Sequence, residues 1–284
     1  MRVGVDLPLL TMPGRDAVLA HARAVERLGF DSLWMNSHTV IPVTFAANYP
    51  YSADGRPVWN ATSSWLDALT TIAFVAAATE RVRLGIAVVP LITTHPVRLA
   101  KQVATIDVLS NGRFELGVGG GWLVEEAQAL GNPTDHRIRR MEETIEILRR
   151  AWREPTFSYD GRFWKIPPVG VNPRPPQGER LPLWIGGHGD AALRVAVEHD
   201  AGLFIWVPTA DKLAAYHQRL RASSATAPLG ASLPLARVED NGWLEAALAM
   251  RDAGADLLVI GRRWDDGTLR DLERFAKEVL PALA

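Results

Sequence analysis

Short apolar runs alternate with longer runs of helical period along almost the whole chain. The first pair is "RVGVDLP", which predicts a strand, and "GRDAVLAHARAVERLGF", in which Val18, Ala22, Val25 and Leu28 share one helical stripe. The further strand candidates are "DSLWM", "RVRLGIAVVP", "RFELGVG", "LPLWIGG", "AGLFIWVP", "LPLARVED" and "ADLLVIG". Eight strands, each followed by a helix, within 284 residues predict a single-domain α/β fold, the (β/α)8 barrel, rather than an open doubly wound sheet.

Two long segments interrupt this alternation. They cover residues 37–61, after the second strand, and residues 154–182, after the fourth helix. The second segment contains "TFSYDGRFWKI", two β-prone runs around Asp160 and Gly161, which predict a hairpin with a primed turn. After the first segment we expect a helix from about Ser63 to Thr79, with Ser63 or Ser64 as its N-cap.

The composition narrows the function to small-molecule chemistry. The formal charge of -1 gives no basic surface for a nucleic acid or an anionic membrane. The chain has no cysteine, which excludes disulfides and thiolate catalysis. The amino terminus lacks the pattern of a signal peptide, and no apolar run reaches the roughly 18 residues of a membrane span, so we expect a cytoplasmic protein.

The active site of such a barrel forms from the loops that follow its strands. The residues at the predicted strand ends are Asn36, His38, Pro90, Gly119, Gly120, Gly121, Trp122, Gly186, Gly187, His188, Trp206, Glu239, Asp240, Arg262, Arg263 and Trp264. Three tryptophans in this set predict an aromatic mouth. The chain has no G-x-S-x-G elbow, no phosphate loop and no H-E-x-x-H, and its seven histidines form no pair at ligand spacing on one helix, so we expect no metal site. Such residues suit a ligand that brings its own chemistry.

The run "WIGGHGDAALR" places glycines between a strand and the first turn of a helix. Unpaired amides and the helix dipole make such a position an anion site, and we expect a phosphate there, although a tight turn alone would also explain the glycines. The run also matches G-x-G-x-x-A, but Val207 and Pro208 stand where a dinucleotide-binding strand would end in an acid, which disfavours NAD.

Two other features admit more than one interpretation. His38 stands just beyond a strand end, where an imidazole could transfer a proton, but a loop histidine with satisfied hydrogen bonds fits the sequence equally well. The glycines of "FELGVGGGWLVEEAQALG" could hold a phosphate or leave floor space for a flat ring. We favour the ring, with Trp122 as a wall beside it, because the phosphate is better served at Gly186 and Gly187.

The order and spacing of several runs resemble the bacterial-luciferase-like superfamily. These runs are "AVERLGFDSLWMNSH", "AAATERVRLGIAVVP", "HPVRLAKQVATIDVLSNGRFELGVGGGWLVEEAQALG", "RRMEETIEILRRAW", "YDGRFW", "PRPPQ" and "LPLWIGG". Together they cover roughly residues 1 to 205. The chain is most similar to the branch that uses the deazaflavin coenzyme F420.

The resemblance implies an oxidoreductase that transfers a hydride between coenzyme F420 and a small organic substrate, with His38 near the reacting carbon. It also implies a homodimer. In relatives the position of Ala87, Val88 and Val89 carries a bulge, often with a non-prolyl cis peptide, that supports the ring. The resemblance further implies that Gly119, Gly120, Gly121 and Trp122 border the ring, and that Gly186, Gly187 and His188 bind the cofactor near its phosphate.

Two departures from the family pattern keep alternatives open. Relatives usually have Asp before the histidine that follows the second strand, and here it is Ser37, so an orienting carboxylate is missing. Many relatives read Asp-Gly-Trp where this chain has "DAGLFIW". The alternatives are an FMN-dependent monooxygenase that uses reduced flavin and oxygen, and a non-catalytic barrel that only binds a flavin or another ligand.

Overall fold

The protein folds into a closed barrel of eight parallel strands with helices between them, as seen in a computed structural model. The structure describes residues 1–12, 14–46, 49, 52, 55–223 and 226–283. The strands are β1 (Arg2–Asp6), β2 (Ser32–Met35), β3 (Arg83–Pro90), β4 (Phe114–Gly119), β5 (Phe157–Asp160), β6 (Lys165–Val169), β7 (Leu183–Gly186), β8 (Gly202–Ile205), β9 (Leu229–Pro234) and β10 (Leu257–Gly261). The helices are α1 (Arg15–Arg27), α2 (Ala68–Ala76), α3 (Pro96–Leu109), α4 (Val124–Ala129), α5 (Arg137–Arg153), α6 (Asp190–Glu198), α7 (Ala210–Ala222), α8 (Trp243–Asp252), α9 (Thr268–Glu278) and α10 (Leu280–Leu283).

The strand order around the barrel is β1-β10-β9-β8-β7-β4-β3-β2, and every neighbouring pair is parallel. This confirms the (β/α)8 barrel predicted from the alternation. The strands β5 and β6 form a separate two-stranded sheet within the segment 154–182. The segment 37–61 is the other predicted insertion, and part of it lies outside the described residues.

Large aromatic side chains fill the interior of the barrel. Trp34 and Trp184 meet edge to face with ring centroids 5.9 Å apart, and Phe204 stacks on Trp34 at 5.9 Å. Glycines on neighbouring strands leave the room for them, since a Cβ on Gly85 would lie 2.3 Å from Cε3 of Trp34. Likewise, a Cβ on Gly202 would lie 2.4 Å from Cε3 of Trp184. Close packing of this kind leaves no free channel through the barrel centre.

The seventh barrel strand is not where the sequence predicted it. We expected "LPLARVED", but β9 is Leu229–Pro234 and Leu235–Arg237 form a 3-10 turn. The interior explains the difference, because a Cβ on Gly230 would lie 2.7 Å from Cδ2 of Phe204. A strand that must carry small residues gives no strong apolar pattern. Glu239 and Asp240 therefore lie beyond the end of this strand and not at it.

A buried ion cluster closes the amino-terminal end of the barrel. Glu115 is 1% exposed and accepts from Arg2 Nη2 at 2.6 Å and from Trp184 Nε1 at 2.8 Å, and it also contacts Arg83. Burial by itself raises the pKa of Glu115, but Arg2 and Arg83 outweigh it and hold that pKa below its usual value. This end of the barrel is occupied by structural contacts, so the site has to form at the carboxyl end.

The second helix begins later than expected. Its N-cap is Asp67, whose carboxylate accepts from Thr70 N at 2.7 Å, and α2 runs over Ala68–Ala76. Ser63 does not cap it, because its hydroxyl accepts from the Asn60 amide at 2.9 Å. The predicted start at Ser63 or Ser64 was therefore wrong. Asp in this position satisfies one of the free amides of the first turn as a serine would.

The hairpin exists, but its turn is longer than a primed turn. Asp160 of β5 pairs with Lys165 of β6, so residues 161–164 form the connection. The carboxylate of Glu143 on α5 accepts from the amides of Arg162 and Phe163 at 2.8 and 3.0 Å. These contacts with α5 support a four-residue connection, which the residues of the turn alone did not predict.

The described residues lack two features that would mark other kinds of protein. Among these residues, no helix combines the length and the apolar character needed to cross a membrane. In the same part of the chain, no three His, Asp or Glu side chains come together as a metal site.

Candidate active site

A cavity of about 650 Å³ opens at the carboxyl end of the barrel strands. Most of the residues that the strand ends predicted or the resemblance implied line it: Asn36, His38, Ala87, Val88, Pro90, Gly119, Gly120, Gly121, Trp122, Gly186, Gly187, His188 and Trp206. Val89 lies next to this wall and is 4% exposed. Trp264 lies elsewhere, 5.8 Å from the ring of His21. Arg262 pairs with Asp265 at 2.9 Å.

One wall of the cavity is a bulge in β3. The Ala87–Val88 peptide bond is cis, and the register of β3 against β4 shifts between Ile86 and Val89. The resemblance implied such a bulge, and the structure has it. Val88 packs between Gly119 and Gly186, where a Cβ would lie 2.9 Å and 2.4 Å from its methyl groups. The glycines thus make room for Val88, and together they leave a flat, apolar wall.

The glycines after β4 serve the fold as well as the cavity. Gly121 has a φ of 77°, and a Cβ there would lie 2.5 Å from Cγ1 of Ile92, so both the turn and the packing require glycine. Arg137 of α5 donates to the Gly121 carbonyl. A Cβ on Gly120 would meet Cδ1 of Ile138 at 3.3 Å. The missing side chains therefore shape this corner of the cavity even without a ligand.

His38 is held by a buried carboxylate. Its Nδ1 lies 2.8 Å from Oε2 of Glu126, which is 1% exposed, whereas the imidazole is 11% exposed. The other oxygen, Oε1, accepts from the amides of Thr39 and Val40 at 2.5 and 3.3 Å. A carboxylate can only accept, so Nδ1 carries a proton and Nε2 is left to exchange one. The first turn of α4 thus sets the orientation of His38.

Aromatic rings surround the imidazole. The ring centroids of Trp65, Trp59 and Trp122 lie 5.0, 5.3 and 6.1 Å from that of His38. Phe45 contacts Trp122 at 6.0 Å and belongs to the same group. The predicted aromatic mouth is therefore present, but its tryptophans differ in part from the expected set. Such a wall excludes water and favours apolar ligands.

A helix start forms the far end of the cavity. Gly187 and Gly189 have φ of 154° and 136°, and Gly189 is the N-cap of α6 without a capping side chain. The first amides of α6 therefore face the cavity end without a side-chain acceptor from the N-cap. Burial, together with the charge of Lys212, lowers the pKa of His188. A neutral His188 can donate a hydrogen bond to an anion here, but it adds no charge at neutral pH.

A family model described as luciferase-like monooxygenase matches residues 3–238. The chain belongs to this family. An uncharacterized protein of Mycobacterium tuberculosis is 35% identical over 170 residues, and the match spans 60% of this chain and 60% of that relative's length. An F420-dependent glucose-6-phosphate dehydrogenase of Microbacterium testaceum is 32% identical over 187 residues, with 64% of this chain and 50% of that protein covered.

Several solved structures share this fold. An F420-dependent secondary alcohol dehydrogenase, solved with an F420-acetone adduct, superposes with a TM-score of 0.81 at 16% identity over 100% of this chain and 99% of its own. The oxygenating constituent of 3,6-diketocamphane monooxygenase from Pseudomonas putida, solved with FMN, has a TM-score of 0.73 at 17% identity, with coverages of 99% and 98%.

The structure corrects one expectation drawn from the family pattern. Ser37 stands where the family pattern usually has Asp, and we expected His38 to lack an orienting carboxylate. In this luciferase-like protein Glu126 provides one from α4. Trp59 and Trp65 were missed as well. The sequence does show an acidic residue, Glu126, in the helical run that follows Gly119 to Gly121. Nothing in the sequence shows that its carboxylate contacts His38.

Asp6, at the end of β1, is a further group that the sequence analysis overlooked. It faces Gly261 at the end of β10, because a Cβ on Gly261 would lie 3.7 Å from the Cβ of Asp6. Burial raises the pKa of Asp6 to about 8. The carboxyl is therefore mostly protonated at neutral pH and can donate a hydrogen bond.

Proposed function

We propose that the protein is an oxidoreductase that transfers a hydride between coenzyme F420 and a small organic substrate. The observation that carries the proposal is that one cavity holds a flat wall, a helix start without a capping side chain and an oriented histidine. The flat wall of Val88, Gly119 and Gly186 suits a planar ring. The start of α6 suits a phosphate on the ring's tail.

Different residues of the chain would have different roles in this reaction. When bound, the deazaflavin would accept or give two electrons and a proton as a hydride. Nε2 of His38 would take the proton of a substrate hydroxyl during oxidation, or return it to a carbonyl oxygen during reduction. Glu126 holds the imidazole in the tautomer that leaves Nε2 free to accept. The tryptophans around His38 exclude water from the reacting atoms.

Similarity to F420-dependent enzymes supports this cofactor over FMN. One such relative matches in sequence at 32% identity, and an F420-dependent alcohol dehydrogenase shares the fold. The test is to titrate the purified protein with coenzyme F420 and with FMN and to follow the fluorescence of each cofactor. We expect binding of F420. Tight binding of FMN alone would refute the proposal.

The second candidate is an FMN-dependent monooxygenase, favoured by the family description and by the FMN complex among the solved structures. The flat wall and the helix start fit FMN as well, because both cofactors join a three-ring system to a phosphate. Oxygen uptake on adding reduced FMN separates the two, since the deazaflavin carries a hydride and forms no productive oxygen adduct.

A homodimer is also proposed, by family resemblance alone. Light scattering of the purified protein at several concentrations tests it. A mass of one chain, 31.1 kDa, at every concentration would contradict it.

A further inference from the structure

Two buried polar atoms in the cavity wall have no hydrogen-bond partner among the residues that the structure describes. They are Oδ1 of Asn36 and Nε1 of Trp65. Both residues line the cavity that contains His38. Burying such an atom without a partner costs about 1–3 kcal/mol, and folded proteins keep few of them. Two in the wall of one cavity indicate polar groups that pair with a ligand.

Both residues line the same cavity as the imidazole of His38. Asn36 directly follows β2 and lies two residues before His38. Trp65 comes from the segment before α2, and its ring meets that of His38 edge to face at 5.0 Å. The pair therefore offers one acceptor and one donor in the cavity that His38 also lines.

The surroundings restrict what these groups can bind. Trp59 and Trp122 make the rest of this corner apolar. The buried carboxylate of Glu126 stands behind His38, so an anionic substrate group would meet negative charge there. Asp190, at the opposite end, is paired with Arg219 at 2.6 Å. The corner is suited to an uncharged ligand with a single polar group.

We propose that Asn36 and Trp65 form the subsite for the reacting oxygen of a neutral, mainly apolar substrate that carries a hydroxyl or carbonyl group. The inference rests on the proposed oxidoreductase function and specifies its substrate class. The hydroxyl oxygen accepts from Trp65 Nε1, and its single O–H donates to Asn36 Oδ1 on binding and turns to Nε2 of His38 for the reaction, whereas a carbonyl oxygen only accepts from Trp65. During oxidation the C–H bond would break and its hydrogen would pass with both bonding electrons, as a hydride, to a bound deazaflavin, while the O–H proton would pass to Nε2 of His38 and a C=O bond would form. The reduction is the reverse.

The test compares three probes with the same skeleton: 1-phenylethanol, acetophenone and ethylbenzene. Saturation-transfer NMR titrations measure their dissociation constants on the protein with and without added F420. One neutral hydrogen bond contributes about 0.5–1.5 kcal/mol, which is about 2- to 10-fold in affinity. We expect the alcohol and the ketone to bind more tightly than the hydrocarbon by at least this factor.

Two variants separate the donor from the acceptor. Trp65→Phe keeps an aromatic ring but removes the indole N–H, so it should weaken binding of both the alcohol and the ketone about 2- to 10-fold relative to binding of ethylbenzene. Asn36→Leu should weaken binding of the alcohol alone. The matched control is Trp164→Phe, because Trp164 Nε1 is also buried without a partner but lies against His95, outside this cavity.

Three results would overturn the subsite. They are equal binding of the three probes to the wild type, an unchanged preference in Trp65→Phe, or tighter binding of phenyl phosphate than of 1-phenylethanol. The probes are measured without F420 as well as with it. Loss of F420 binding with an intact probe preference would therefore count against the proposed function and not against the subsite.

Discussion

Replacing Glu126 by Gln should change which nitrogen of His38 carries the proton. The carboxylate now accepts from Nδ1 of His38 at 2.8 Å and from the amides of Thr39 and Val40 at 2.5 and 3.3 Å. Glutamine has nearly the same shape, but only one of its two terminal atoms accepts. If the amide oxygen keeps the two backbone amides, its NH2 group faces Nδ1. Nδ1 must then accept, and the proton moves to Nε2.

The size of the effect follows from these contacts. A hydrogen bond to a charged group contributes about 1.5–3 kcal/mol and a neutral one about 0.5–1.5 kcal/mol, so the stability loss should be about 1–2 kcal/mol. The effect on turnover should be larger. A histidine with its proton on Nε2 cannot accept one there, and general base catalysis contributes about 10²- to 10⁴-fold. We expect alcohol oxidation to fall about 100-fold or more.

The assay combines nitrogen NMR with kinetics. In 15N-histidine-labelled protein, the shifts of Nδ1 and Nε2 report the tautomer of His38 without any substrate. Turnover is then measured with F420 and an accepted alcohol. Glu125→Gln is the matched control, because Glu125 Oε1 accepts from the Ala46 amide at 2.8 Å on the same loop. It changes the same charge in the same helix.

The reasoning would be refuted if Glu126→Gln kept the proton on Nδ1 and its turnover stayed within about threefold of the Glu125→Gln control. An equal loss of activity in both variants would show that the effect comes from a destabilised loop and not from the tautomer of His38. A second replacement, Glu126→Ala, removes every acceptor and should lower the free energy of unfolding by more than Glu126→Gln does.

Other predictions concern buried groups around the barrel. The unfolded chain loses the proton of Asp6 near its usual pKa of 3.8, whereas the folded protein keeps it to about 8, so the free energy of unfolding should fall as the pH rises from about 4 to 8. Denaturant titrations should show a flatter profile for Asp6→Asn. Burial lowers the pKa of His21 from 6.5 to about 4, so the free energy of unfolding should fall as the pH falls through that range. His21→Leu should remove this dependence on pH. Gly85→Ala should lower the free energy of unfolding by about 1–3 kcal/mol, because its Cβ would meet Trp34 at 2.3 Å, and an unchanged denaturation midpoint would contradict that packing.

The barrel was predictable because its signal is local and repeats. Apolar strands and amphipathic helices show their period within a window of about 11–18 residues, and eight such units in order leave few other folds. The one misplaced strand, β9, has small inward residues that pack against Phe204 and carry little apolar pattern. Strand ends were predictable as well, and with them many of the residues that line the cavity.

The partners within the site were not predictable, because they meet only through the fold. His38 and Glu126 are separated by 88 positions in the chain, and no periodicity connects them. Trp65 precedes a helix whose start was itself misplaced. The chain by itself thus determined the barrel, the end at which the site forms and the residue types available there. Only the tertiary structure decided which carboxylate orients the histidine and which polar atoms are left for a ligand, because those contacts depend on distances in space.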